Sequence, residues 1–279
     1  MMGRVAATFE IARPHNMIVA AMCVYASYYL CGGTALSTVL PALVFTALVT
    51  GLGNLVNDYF DSGIDRINKP RRPIPSGRLS PRYVLTVYVL GTAVVTAAMV
   101  LFLRPSLLIL LLCWETAVFV YAAWAKRVTL LGNVVIAGVC SSAFLAGALI
   151  TGDYAVVAFP VCFAFLFVLG RELIKGAEDI RGDSLAGAAT VAVRFGAERA
   201  AFSGAMLLFV CTLIAPLPAL VHYFGRTYGL LMELLVVPGM LVAAYLVLRF
   251  PGRATFNRVS WILKIEMFVG VLVLGLGRV

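Results

Sequence analysis

Nine apolar runs, each about 20 residues long, follow one another with only short polar connections between them. A helix rises about 1.5 Å per residue, so about 20 residues span the hydrocarbon of a bilayer. In lipid every backbone N–H and C=O must be paired, and a run of this length pairs its own groups only as a helix. The runs cover roughly 16–35, 39–61, 82–103, 105–125, 132–150, 155–179, 199–221, 228–249 and 256–277. The expected fold class is therefore all-α, a polytopic membrane bundle of nine transmembrane helices in a single domain, 1–279. With 62% hydrophobic and 13% charged residues, the chain has too little charge to cover a soluble domain. The first run follows Arg4, Glu10 and Arg13 and is long enough to span, so no cleavable signal peptide is expected. Arg104-Pro105 divides the third run from the fourth. Pro160, Pro216, Pro218 and Pro238 fall inside runs and are expected to kink them.

The basic residues fix an orientation. The N-terminus and the connections after runs two, four, six and eight carry 16 of the 22 Lys and Arg. The opposite connections carry three, Arg104, Arg226 and Arg278, while Arg171, Lys175 and Lys264 lie within runs. The positive-inside rule places the richer side in the cytoplasm. The net charge of +9 is thus spread over short loops, which argues against a nucleic-acid partner. Six cysteines all fall in apolar runs without a CxxC pair, so they read as small buried hydrophobes.

Against this apolar background, seven of the 13 acidic residues gather in two places, Asp58 to Asp65 and Glu172 to Asp183. A carboxylate costs roughly 2.5–3.5 kcal/mol at a membrane helix centre, so such clusters need a reason. On a helix advancing about 100° per residue, Asp61, Asp65 and Asp58 lie about 40°, 80° and 100° from Asn57, one continuous arc. Ser62-Gly63 is the weak point of its last turn. Hard oxygen ligands on one arc suit Mg²⁺, which takes one or two carboxylates plus substrate phosphates and waters. The following loop, Arg66 to Arg78, holds three prolines and projects Lys69, Arg71, Arg72 and Arg78, which match phosphate oxygens.

In the second cluster Asp179 and Asp183 lie within about 20° of Glu172, with Lys175 about 60° away. Glu178 points about 120° off this group. Glu172, Asp179 and Asp183 are therefore the expected inward set, and Glu178 a solvated or supporting residue. Both clusters end runs on the same expected cytoplasmic side, after the second and the sixth helix, so they can share one site.

The stretch NDYFDSGIDRINKPRRPIPSG, Asn57 to Gly77, resembles the first aspartate motif and Pro-Ser-Gly loop of the UbiA-type intramembrane prenyltransferase family. RELIKGAEDIRGD, Arg171 to Asp183, resembles its second motif. Arg13-Pro14 with Asn16, Tyr121 with Lys126 ahead of Gly132-Asn133, and Thr190 with Arg194-Phe195-Gly196 match in support. The resemblance implies a multi-pass cell-membrane enzyme whose active-site loops face the cytoplasm. It implies two Mg²⁺ ions bridging the diphosphate of an isoprenyl diphosphate. The ligand set would be Asn57, Asp58, Asp61, Asp65, Glu172, Asp179 and Asp183, with Asn57, Asp61, Asp65, Asp179 and Asp183 central to catalysis. Lys69, Arg71, Arg72, Arg78, Lys175, Lys126, Tyr121 and Asn16 would bind the substrates. The C1–O bond ionises and a lipophilic acceptor captures the allylic cation. The second motif is most similar to that of archaeal members that add geranylgeranyl from its diphosphate to geranylgeranylglyceryl phosphate. Gly176 departs from those relatives, which often carry a polar or acidic residue there. A phosphate-bearing acceptor makes Lys126 the expected contact for its phosphate. Aromatic acceptors, such as 4-hydroxybenzoate or a quinone precursor, are the alternative.

Outside the clusters, Glu115, Glu233, Lys264 and Glu266 lie within runs and read as interhelical pairing, for example Glu233 with Lys264. A cation-coupled transporter is the non-enzyme rival. Its sites should lie near the bilayer midplane, often on broken helices, whereas these clusters sit at helix ends.

Overall fold

The computed structural model describes residues 2–278, and among them every regular element is a helix. A short helix α1 (Met2–Ala12) precedes α2 (Pro14–Leu30), α3 (Leu36–Asn68), α4 (Pro81–Phe102) and α5 (Pro105–Ala123). A 3₁₀ turn at Ala125–Arg127 leads to α6 (Leu131–Ser142), α7 (Leu145–Thr151) and α8 (Ala158–Leu185). The chain continues through α9 (Val191–Phe195), α10 (Ala197–Ile214), α11 (Leu217–Leu220), α12 (Arg226–Leu231), α13 (Val237–Arg249) and α14 (Arg253–Gly275). Six stretches are long and apolar enough to cross a membrane: 36–68, 81–102, 105–123, 131–151, 197–220 and 226–249. The chain is a multi-pass membrane protein.

Helix punctuation follows local chemistry. Ser80 caps α4 by accepting a hydrogen bond from the Tyr83 N–H, with Pro81 in the first turn, where its missing donor costs nothing. Pro216 and Pro218 do more than kink: they end α10 and restart a short α11. Pro238 opens α13 after a π turn at Met232–Val236. Pro160 lies in the first turn of α8, which runs on unbroken, so the expected kink is not needed. Gly63 does not loosen α3 either, which stays helical to Asn68.

Two helices overshoot. At 33 residues α3 is about 50 Å long and at 28 residues α8 about 42 Å, against about 30 Å of hydrocarbon. Their final turns, which carry the acidic clusters, therefore extend past the apolar slab. The core beneath them is built by Phe163 and Phe167 of α8, Leu208 of α10, Met240 of α13 and Leu263 of α14. Lipid gives helices no hydrophobic reason to associate, so close packing must supply the attraction. A Cβ at Gly204 of α10 would fall 2.5 Å from the Gly170 carbonyl oxygen of α8, and only glycines permit that approach.

The helix α1 had no counterpart among the apolar runs. Its Ala7 and Ile11 pack with Leu55 of α3, Val84 of α4, and Ile74 and Leu79 of the loop that follows α3. Its Phe9 and Val5 stay exposed. Arg78 forms two hydrogen bonds to Glu10, at 2.6 and 2.8 Å, and so ties the loop to α1. Arg78 holds the Glu10 carboxyl below its usual range. Among the charges within the bundle, the expected Glu233–Lys264 pair does not form. Glu233 is exposed, and the Lys264 ammonium lies 4.1 Å from the centre of the Trp261 ring. Cys113, Cys140 and Cys162 are exposed rather than buried, since an apolar run in a helical bundle has sides that no neighbouring helix covers.

Candidate active site

The ends of α3 and α8 form two walls of a cavity of about 130 Å³. One water needs roughly 10–15 Å³, so the space holds several waters or the oxygens of an anion. The first wall carries Asn57, Asp61, Asp65 and Asn68; the second carries Glu172, Lys175, Asp179 and Asp183. Tyr121 and Lys126 close one side, with Gly132 and Asn133 of α6 behind them. A Cβ on Gly132 would lie 2.5 Å from the Lys126 Cα, so this glycine lets α6 begin against the turn that presents the lysine.

On the first wall Asn57 Nδ2 donates to Asp61 Oδ2 at 2.9 Å, and Lys126 Nζ donates to the other oxygen of Asp61. Arg72 folds back from the loop, donating to Asp65 at 2.5 Å and to Asp58 at 3.2 Å. Arg13 also donates to Asp58 and reaches Asn54 Oδ1 at 2.9 Å. These bonds hold Arg13 in the left-handed backbone region at φ 53, which costs an L-residue about 1–2 kcal/mol. On the second wall Glu172 accepts from Arg171 at 2.7 Å and from Lys175 at 3.4 Å. Asp179 pairs with Lys69 at 3.4 Å. Asp183 takes part in no ion pair among the described residues.

One side chain spans the walls. Asn68 Nδ2 donates to the Asp179 carbonyl at 2.9 Å, and its Oδ1 accepts from the Gly182 N–H at 3.1 Å. A Cβ at Gly182 would lie 2.3 Å from Asn68 Nδ2, so the glycine makes room for the bridge.

Asn57 Oδ1 on one wall and Asp179 Oδ1 on the other are buried acceptors without a donor. Such an orphan costs about 1–3 kcal/mol and is explained by a partner that supplies positive charge. The donor set is oxygen throughout, as Mg²⁺ requires. Among the described residues no three acidic, histidine or cysteine side chains form a closed metal cage. Mg²⁺ usually takes one or two protein carboxylates and fills the rest of its shell with phosphate oxygens and water. The residues present fit Mg²⁺.

The structure brings Asn57, Asp61, Asp65, Glu172, Asp179, Asp183, Lys69, Arg72, Lys126, Lys175 and Tyr121 to the cavity wall. It places other candidates elsewhere. Asp58 is 3% exposed behind the wall, held by Arg13 and Arg72. Asn16 is half-buried, while Arg71 and Arg78 are exposed, and none of the three lines the cavity. Glu178 turns to α14, accepting from Asn257 at 2.8 Å and Ser260 at 3.2 Å. Asn68 is not among the expected site residues, although 11 residues after Asn57 it falls within about 20° of it, on the same arc. Arg13 also lines the cavity, yet no sequence pattern links it to Asp58 across 45 positions.

The sequence motifs and this geometry meet in the comparisons with known proteins. The digeranylgeranylglyceryl phosphate synthase of Methanothermobacter thermautotrophicus is 35% identical over 262 residues, covering 92% of this chain and 91% of its own. A solved structure concerned with digeranylgeranylglyceryl phosphate synthase in membranes superposes with a TM-score of 0.74 at 26% identity, over 98% of both chains. A UbiA homologue from Archaeoglobus fulgidus, solved with DMAPP and Mg²⁺, shares the fold with a TM-score of 0.69 at 19% identity, over 95% of this chain and 99% of its own. The UbiA prenyltransferase family model matches residues 18–268, a span that contains both acidic walls and the loop between them. The chain therefore belongs to the UbiA prenyltransferase family.

Proposed function

We propose that this protein transfers a geranylgeranyl group from geranylgeranyl diphosphate to geranylgeranylglyceryl phosphate in the membrane. The observation that carries this reading is the pairing of two carboxylate walls with interleaved cations at one end of an apolar bundle. The relatives named digeranylgeranylglyceryl phosphate synthase support this choice of acceptor. In this reading the chain spans the membrane nine times as one domain, with the cavity on the cytoplasmic side. The charged helix α8, the short α2 and α14 then cross alongside the six more apolar stretches.

Asn57, Asp61 and Asp65 on one wall and Asp179 and Asp183 on the other would hold two Mg²⁺ ions. When bound, they supply positive charge that stabilises the departing diphosphate. The UbiA homologue solved with DMAPP and Mg²⁺ supports the use of Mg²⁺ with a prenyl diphosphate. Lys69, Arg72 and Lys126 add donors for the diphosphate oxygens and hold it in place. Asp58 and Glu172 are each held by two cations. Their role is to fix Arg13, Arg72, Arg171 and Lys175 in position. Asn68 sets the distance between the walls. The donor's C1–O bond breaks, and its electron pair leaves with diphosphate. A hydroxyl oxygen of the acceptor bonds to C1, and its proton passes to the diphosphate. Tyr121, Ile64 and Leu173 line the cavity and limit water, which would otherwise capture the allylic cation.

The test supplies purified protein with geranylgeranyl diphosphate and Mg²⁺, then offers geranylgeranylglyceryl phosphate or 4-hydroxybenzoate and identifies the product by mass. The doubly prenylated glycerol phosphate is expected. Product from the aromatic alone would reject the acceptor and keep the prenyl transfer.

A further inference from the structure

The cations of the cavity do not stop at its walls. Glu178 of α8 is fastened to Asn257 and Ser260 of α14, which fixes how the two helices face each other. From that anchor Lys264 lies seven residues along α14 from Asn257 (264 − 257), and Arg171 seven residues back along α8 from Glu178 (178 − 171). Seven residues are about two turns and about 10.5 Å, so both side chains return to the facing side at the same height. The charges agree with this placement. The charged groups whose fields reach Lys264 are all cations, Arg171, Lys175, Lys69 and Arg13, and those that reach His15 of α2 are Lys264, Arg13 and Arg171.

This corner between α2, α8 and α14 is short of negative charge. Among the described residues Lys264 has no carboxylate within ion-pair distance, and its ammonium rests on the Trp261 ring. Arg171 gives Nη1 to Glu172, while its Nε is buried without a partner. Glu172 is shared with Lys175 as well. Like charges gathered in one corner destabilise one another unless an anion joins them. Lys126, which the sequence suggests for the acceptor's phosphate, is already engaged by Asp61 on the opposite wall. His15 is exposed, and Trp261 is 59% exposed, so the corner opens outward where a tryptophan belongs at a membrane interface. Lys175 and Arg13, whose charges act on Lys264, also line the cavity.

We propose that Arg171, Lys264 and His15 form a second anion subsite, which receives the phosphomonoester of the lipid acceptor beside the diphosphate site. The proposal rests on the prenyl-transfer reading above and adds which side the acceptor enters and which groups select it. Its hydrocarbon tail stays between helices or in lipid, and its phosphate neutralises the corner. The acceptor's hydroxyl is then directed toward the cavity through the side that Lys175 and Arg13 line.

The experiment compares wild type, Lys264→Gln and Lys264→Arg in detergent with geranylgeranylglyceryl phosphate, its dephosphorylated form and geranylgeranyl diphosphate, and separately measures their binding to anionic phospholipid vesicles. Direct binding of the acceptor is measured without donor, and transfer is measured with it. Lys264→Gln is expected to raise the KM for the phosphate acceptor about tenfold while leaving that for the donor within about twofold, and Lys264→Arg to recover much of the loss. Lys264→Gln should also lose the wild type's preference for the phosphorylated over the dephosphorylated acceptor. An unchanged acceptor KM and an unchanged phosphate preference in Lys264→Gln would overturn the subsite. So would an effect confined to binding of anionic phospholipid vesicles, which would make the corner a lipid-headgroup contact. Wild type that binds the phosphate acceptor through Lys264 but transfers nothing to it would uphold the subsite and refute the proposed reaction.

Discussion

The two walls of the cavity hold their acids differently. On α3 every carboxylate is gripped, two of them by arginines: Asp58 by Arg13 and Arg72, Asp65 by Arg72 at 2.5 Å, and Asp61 by Lys126. On α8 Glu172 is held by Arg171 at 2.7 Å and by Lys175, but toward the helix end the grip is loose, with Asp179 reached only by Lys69 at 3.4 Å and Asp183 by no cation among the described residues. Arginine's planar fork fixes geometry, whereas lysine is a mobile point charge that moves aside more easily. The α3 wall is thus largely prebuilt. The α8 wall, with its orphaned Asp179 Oδ1, keeps its oxygens available for what binds. Acidic residues that look alike in sequence divide into those that shape the site and those that serve it.

The largest expected effect is at the centre of both walls. Asp61→Ala and Asp179→Ala should each lower kcat by about 100-fold or more while the folded protein remains extractable, because each removes stabilisation of departing charge. Steady-state transfer assays on the two variants check this. The next effect separates the walls. Asp58→Asn leaves Arg13 and Arg72 short of a buried partner and should cost up to about 3 kcal/mol, seen as a lowered Tm. Asp183→Asn should leave Tm nearly unchanged and reduce activity. The reverse pattern would erase the distinction between a built wall and an available one.

Smaller effects probe what supports the walls. Asn68→Ala loses two hydrogen bonds between α3 and α8, each worth about 1 kcal/mol, and should slow turnover beyond that modest loss of stability. Glu178→Gln should be far milder than Asp179→Ala, since its carboxylate bonds to α14 and not to the cavity. Equal loss of activity at the two positions would contradict the facing assigned to α8. The smallest effect is at the latch between α1 and the loop. Arg78 holds the Glu10 carboxyl below its ordinary value of 4.5, so the latch is intact above that pH and is lost only as pH falls through the lowered value. Glu10→Gln should therefore weaken donor affinity slightly near neutral pH, with no added pH dependence there.

Much of this was legible in the sequence. Run length and apolarity anticipate 132–150 and 228–249 within a few residues of the helical stretches 131–151 and 226–249. They stop α3 at 61, seven residues short, because hydropathy ends where charge begins while the helix continues to Asn68. Helical phase separated Glu178 from Asp179, since both lie on one unbroken helix and the phase is local. It did not separate Asp58 from Asp61, because Arg13 and Arg72, which draw Asp58 behind the wall, arrive from outside α3. The helix α1 escaped because it is short and only half apolar. Its place is fixed by contacts with Leu55 and Val84, far along the chain.

Binding of geranylgeranyl diphosphate to wild type, Asp61→Asn and Asp179→Asn, measured by calorimetry with Mg²⁺ and again in excess chelator, decides whether the two walls act as one site. Wild type should bind tightly only with Mg²⁺, and each single variant, on either wall, should lose most of that metal-dependent affinity. Full affinity in chelator, or a variant of one wall that binds like wild type, would contradict a diphosphate site built across α3 and α8.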